Sequence, residues 1–121
     1  MNDLQNFRVL IVEDDEEDFM LTRDLLKEIR GCTYAIEWAR SFEEGLFAMA
    51  KNLQDICLVD FRLGAHDGVE LLQAARTAGA EAPVILVTGA GHADADHAAM
   101  RAGAADYLVK GQIAAQTLER T

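Results

Sequence analysis

Several reactive side chains in this sequence come directly after runs of apolar residues. Asp60 follows Ile56, Cys57, Leu58 and Val59, and Glu13 and Asp14 follow Val9, Leu10, Ile11 and Val12. Thr88 closes the run Val84, Ile85, Leu86 and Val87, while Lys110 follows Tyr107, Leu108 and Val109 in a strand that begins at Asp106. Short continuous apolar runs are the mark of strands buried on both faces, as in the middle of a parallel sheet. In open α/β sheets, chemistry collects outside the carboxyl ends of the strands. An acid at that spot needs a reason, because a carboxylate beside a core loses solvation. Taken alone, Asp60 could cap the next turn. The acids, hydroxyl and lysine at the other strand ends favour a site.

If the first and third strands are neighbours, Glu13, Asp14 and Asp60 meet in one crevice. Three close carboxylates repel and raise one another's pKa. A divalent cation offsets that repulsion, and an oxygen-only donor set suits Mg²⁺. Thr88 and Lys110 approach from the fourth and fifth strands with a hydroxyl donor and a positive charge. Together these groups suit a phosphoryl group, with Asp60 as nucleophile forming an aspartyl-phosphate. Mg²⁺ and Lys110 would offset charge on the phosphoryl oxygens, and Thr88 would hydrogen-bond one of them.

The intervening segments read as the helices that position these ends. Glu13 to Asp18 is a run of six acids. Glu16, Glu17 and Asp18 suit the first turn of a helix, where negative charge complements the dipole. That helix is expected to reach about residue 30, with Phe19, Leu21, Leu25, Leu26 and Ile29 inward and Gly31 as its stop. Residues 34–39 alternate Tyr34, Ile36 and Trp38 against Ala35, Glu37 and Ala39, the period of an edge strand. Ser41 and Glu44 predict a capping box, followed by an apolar stripe of Phe42, Leu46, Met49 and Leu53. Residues 61–68 read as a loop with Gly64, Asp67 and Gly68 as turn residues. Residues 69–78 read as a helix with Leu71, Leu72 and Ala75 inward. Another helix is expected over 92–102, stopped by Gly103, and a last one over 112–121.

Five strands alternating with five helices imply α/β architecture with a parallel sheet. The expected fold is a flavodoxin-like (βα)5 three-layer sandwich with strand order 2-1-3-4-5. The 121 residues fit one domain, 1–121, and half of them are hydrophobic, enough for one core. There is one proline and no low-complexity run. No stretch is apolar for long enough to cross a membrane, and residues 1–5 lack the features of a signal peptide, so a cytoplasmic location is expected. Of the two cysteines, Cys57 reads as a buried small hydrophobe and Cys32 as part of a turn. Twenty-one acids against 11 basic residues give a net charge of −10, which repels phosphate backbones and argues against direct nucleic-acid binding.

With these pieces in order, the chain resembles the receiver domain of two-component response regulators over almost its whole length. The matching segments are Val9 to Glu16, Leu58 to Asp60 with Asp67-Gly68, Val84 to Thr88, and Asp106 to Lys110. The resemblance implies a phosphoacceptor that catalyses its own phosphorylation and dephosphorylation rather than a metabolic enzyme. It implies phosphorylation of Asp60 by a sensor histidine kinase or a histidine phosphotransfer protein. It assigns Mg²⁺ to Glu13, Asp14, Asp60 and the backbone carbonyl of Arg62, and switch roles to Thr88 and Tyr107. Taken alone, Tyr107 reads as a core aromatic. Two positions depart from the family pattern: Gly64 and Gly111 stand where prolines are usual.

Other readings fit less well. Gly89-Ala90-Gly91 is followed by Asp94 where a dinucleotide fingerprint needs a small residue. A haloacid-dehalogenase type of phosphoenzyme needs a second acid two residues after the first, and Arg62 stands there. The alternative within the same fold is a degenerate receiver, an interaction module that works without phosphorylation. His66, His92 and His97 make no metal pattern. The last helix carries Ile113, Ala114 and Leu118 and shows no stop signal before Thr121. It is expected to continue as a connector to an output domain, or else to recruit a partner or a second copy.

Overall fold

The structure is a computed structural model that describes residues 5–29, 32–88, 103–104 and 106–109. Strand β1 (Gln5–Val12) leads to helix α1 (Glu16–Lys27), strand β2 (Cys32–Ala39), helix α2 (Phe42–Ala50) and strand β3 (Ile56–Asp60). Two short strands, β4 (Arg62–Leu63) and β5 (His66–Asp67), precede helix α3 (Gly68–Thr77), strand β6 (Val84–Thr88) and strand β7 (Asp106–Val109). The main sheet is parallel in the order β2-β1-β3-β6-β7, which is the expected 2-1-3-4-5. The helices expected over 92–102 and 112–121 lie outside the described residues, as do Gly31, Gly89, Ala90, Gly91, His92, His97 and Gly111.

Alternation along the central strands divides the core into two layers. Val9, Ile11, Leu58, Ile85 and Val87 pack with Phe19 and Leu26 of α1 on one face. Leu10, Val12, Cys57, Val59 and Leu86 pack with Met49 of α2 and Leu71, Leu72 and Ala75 of α3 on the other. All five residues of β3 and all five of β6 are buried, as expected for strands covered on both faces.

The differences from expectation are local. Helix α1 ends at Lys27 rather than near residue 30, and its buried residues are Phe19, Thr22 and Leu26. Leu21 is 46% exposed, not inward. At about 100° per residue it lies on the opposite side of the helix from Phe19, while Thr22 falls beneath. Leu53 is also exposed, because α2 stops at Ala50 and Asn52 takes a left-handed φ of 54°. Cys32 is not in a turn but opens β2, two residues ahead of the expected strand start. Glu44 reaches back to the Arg40 N–H (3.1 Å), one residue before the Ser41 cap that its own N–H meets (3.2 Å).

The segment read as a loop is a two-stranded hairpin, Arg62 opposite Asp67 and Leu63 opposite His66. Its turn places Gly64 at φ 63° ahead of Ala65, the arrangement of a type II′ turn. Proline holds φ near −65°, so the family's usual residue cannot take this shape. Asp67 then caps α3 in a reciprocal box with Glu70.

At the amino ends of the strands, Asn52 joins two connections. Its side chain donates to the Gly79 carbonyl (2.9 Å) and accepts from the Glu81 N–H (2.7 Å). Arg76 donates to the carbonyls of Ala80 and Ala82, both at 2.9 Å. Across the same end, Asp55 and Arg8 exchange two hydrogen bonds of 2.8 Å.

Cys57 is fully buried in β3. Burial pushes its thiol from the ordinary 9.0 up to about 12; the Arg76 guanidinium opposes the rise and the Glu37 carboxylate adds to it. The folded thiol therefore holds its proton more tightly than the unfolded one. Its contribution to stability is complete below pH 9.0 and is lost as pH rises from there towards about 12. Cys57 should resist alkylation near neutral pH in the native protein and label on unfolding in urea. Peptide mapping of alkylated protein checks this, and rapid native labelling at Cys57 would contradict it.

Candidate functional site

Strands β1 and β3 pair in parallel, with Val12 opposite Val59. One residue further, the same register brings Glu13 beside Asp60. Period two also puts Glu13 on the face of Val9 and Ile11, and Asp60 on the face of Ile56 and Leu58. Both acids therefore leave the sheet on the α1 side. They are buried, at 4% and 6% exposure, whereas Asp14 is exposed. Carboxylate oxygens of Glu13, Asp14 and Asp60 lie within 4.8 Å of one another. A hard, oxygen-seeking divalent cation fits this donor set.

The acid run divides its labour. Asp15 is the cap of α1, accepting from the N–H groups of Glu17 (2.8 Å) and Asp18 (3.2 Å). Glu16, Glu17 and Asp18 fill the first turn, as expected from the helix dipole. Asp15 donates its own N–H to the Glu13 carboxylate at 3.3 Å. The cap thus secures the loop whose other two acids face Asp60.

Glu13 is tied to the edge strand through both of its peptide groups. Its N–H donates to the Ala39 carbonyl (3.0 Å), and its carbonyl accepts from the Trp38 indole N–H (2.7 Å). The Trp38 ring stacks on Phe19 of α1, with centroids 4.2 Å apart and planes 4° from parallel. Arg40 lies 4.4 Å from the Trp38 centroid. The sequence pattern marked Trp38 only as a half-covered edge residue, and nothing in its spacing signalled the bond to Glu13.

On the other side of Asp60, Val87 of β6 is its register partner, and Thr88 comes one residue later, 1% exposed. The Phe61 N–H donates to the Val87 carbonyl at 2.8 Å, and Phe61 accepts from the Gly68 N–H at 2.7 Å. Arg62, exposed, opens β4 two residues beyond Asp60. In β7, the backbone of Tyr107 pairs with that of Leu86 in β6. Lys110 lies outside the described residues.

A model of the response regulator receiver domain matches residues 9–121. The chain belongs to that family. It is 35% identical over 106 residues to the transcriptional regulatory protein RprY of Bacteroides fragilis, covering 88% of this chain and 44% of the relative. It is 35% identical over 103 residues to the alginate biosynthesis transcriptional regulatory protein AlgB of Pseudomonas syringae, covering 85% of this chain and 22% of the relative. The chain thus spans less than half the length of either regulator. Among solved structures, a putative response regulator from Chloroflexus aurantiacus aligns with TM-score 0.76 and 30% identity, over 96% of this chain and 94% of that one. A CheY-like receiver domain protein from Methanospirillum hungatei aligns with TM-score 0.76 and 28% identity, over 96% and 90%. The function of this receiver domain is phosphorelay signal transduction in a two-component system. No helix among the described residues is long and apolar enough to cross a membrane.

Among the described glycines, Gly68 is the one packed against the Asp60 backbone. A Cβ there would stand 2.7 Å from the Asp60 carbonyl oxygen, 2.7 Å from Leu86 Cδ2 and 3.2 Å from Val59 Cγ1. Gly68→Ala should therefore destabilise the domain by about 1–3 kcal/mol, because the peptide of Asp60 must move. A urea unfolding curve with an unchanged midpoint would show that the crowding is absorbed without cost.

Proposed function

We propose that Asp60 accepts a phosphoryl group from the phosphohistidine of a sensor histidine kinase or a histidine phosphotransfer protein. The observation that carries this reading is the meeting of three carboxylates within 4.8 Å around the buried end of β3. A carboxylate oxygen of Asp60 would bond to phosphorus as the donor's phosphorus–nitrogen bond breaks, and the leaving imidazole takes up a proton. Glu13, Asp14, Asp60 and the backbone carbonyl of Arg62 would hold Mg²⁺. When bound, that ion offsets the charge of the carboxylates and of the phosphoryl oxygens. The Thr88 hydroxyl would donate a hydrogen bond to one phosphoryl oxygen, and Lys110 would set its ammonium against another.

Charge added beside Thr88 changes which arrangement of that strand end is favoured. Thr88 would move towards the phosphoryl group, and Tyr107 would turn into the space it leaves, so that phosphate shifts a two-state equilibrium. The regulators it resembles are longer than this chain, which fits a helix over 112–121 that connects to an output domain or supports a homodimer. The acidic balance of the chain leaves nucleic-acid contact to such a domain. The reading also carries a cytosolic location, where a kinase would present its phosphohistidine.

Asp60→Asn is nearly isosteric and not nucleophilic, so it should fold and take no label from phosphoramidate with Mg²⁺. Labelling at the wild-type level would move the acceptor elsewhere. Mg²⁺ should also raise the wild-type melting temperature by mass action on the folded state, and Asp14→Ala should remove most of that rise. A wild-type melting temperature indifferent to Mg²⁺ would count against the metal assignment.

A further inference from the structure

Three facts converge on Trp38, the chain's one tryptophan. Its indole N–H donates to the carbonyl of Glu13 at 2.7 Å. Its ring is stacked on Phe19 at 4.2 Å. The guanidinium of Arg40 lies 4.4 Å from the same ring. A ring packed that closely leaves no room for a guanidinium on the same side, so Phe19 and Arg40 flank the indole. The flanking limits the tilt of the indole and therefore the direction of its one donor. That donor ends on the residue that gives a buried carboxylate to the site.

We propose that Trp38 is a positioning residue for the carboxylate site, fixing the Glu13 peptide so that Glu13 and Asp14 present their oxygens towards Asp60. The inference rests on the reading of these three acids as a divalent-cation site. The Glu13 N–H is already held by Ala39 through the sheet ladder. The carbonyl that Trp38 holds belongs to the next peptide plane, Glu13–Asp14, which turns about ψ of Glu13, and rotating it swings Asp14. Asp14 has an exposed side chain, so its aim depends on the backbone beneath it. A ring without the N–H would keep the stack and release the peptide.

The test uses the full chain with Trp38 replaced by benzothienylalanine, which keeps the shape and lacks the donor. A second protein carries 5-fluorotryptophan, which keeps both, and Trp38→Phe is the genetic counterpart. Mn²⁺ affinity is measured by calorimetry, and melting in EDTA checks the fold without metal. The benzothienyl protein should bind Mn²⁺ about three- to tenfold more weakly, the range one hydrogen bond carries. The fluorotryptophan protein should bind and melt as the wild type does; in EDTA the benzothienyl and Trp38→Phe proteins should melt somewhat lower, for the lost hydrogen bond and the smaller ring, but in one cooperative transition. Equal affinity in the benzothienyl and fluorotryptophan proteins would overturn the positioning role while leaving the cation site intact. No Mn²⁺ binding by the wild type would overturn the cation site itself, and the role of Trp38 with it.

Discussion

Parallel pairing of β1 with β3 is the constraint on which the site depends. Once Val12 stands opposite Val59, the residues that follow have no choice but to leave the sheet side by side. Both happen to be acids, and both are buried. An apolar core drives the strands together, and in doing so it drives carboxylates into each other's field. The domain therefore carries electrostatic tension that its own burial creates. A divalent cation held between these oxygens would relieve that crowding.

The surroundings of the carboxylates are arranged so that this tension does not dissolve the loops. Asp15 removes itself from the crowd by capping α1. The Asp60 peptide is closed in from behind by Gly68, where even one methyl group would collide. The Gly64 turn folds the segment after Asp60 back on itself in a hairpin, which delivers Asp67 to the start of α3. Rigid backbone around mobile charge is what a site needs if it is to hold its geometry while its occupant changes.

Much of this was legible in the sequence because the core strands are continuous apolar runs that stop abruptly at polar residues. Asp60, Glu13, Asp14 and Thr88 lie where such stops predict, and the alternating second strand lies at an edge, as its period implies. Less was legible where a residue's role depends on a partner distant in sequence. Leu21 and Leu53 look inward in the sequence because they are leucines near a stripe; helical phase and the left-handed Asn52 turn them out. The hairpin after Asp60 was invisible because its strands have two residues each, too few to show a period. Trp38 meets Glu13 across 25 residues of chain, and no local pattern encodes that bond.

The lacing at the opposite end of the sheet has a mechanical meaning. Asn52 ties the turn after α2 to the turn after α3, Arg76 grips the same turn from the helix above, and Arg8 with Asp55 closes the gap between β1 and β3. The amino ends of β1, β3 and β6 are thus clamped, while the carboxyl ends of β1 and β3 carry the crowded acids. A sheet held this way behaves as a cantilever with a fixed root. A force applied at its free end is expressed as angular deflection of the tips, and the layers have little freedom to slide. A displacement imposed on the loops that follow β1 and β3 would then be taken up near the strand tips before it reached the clamped ends.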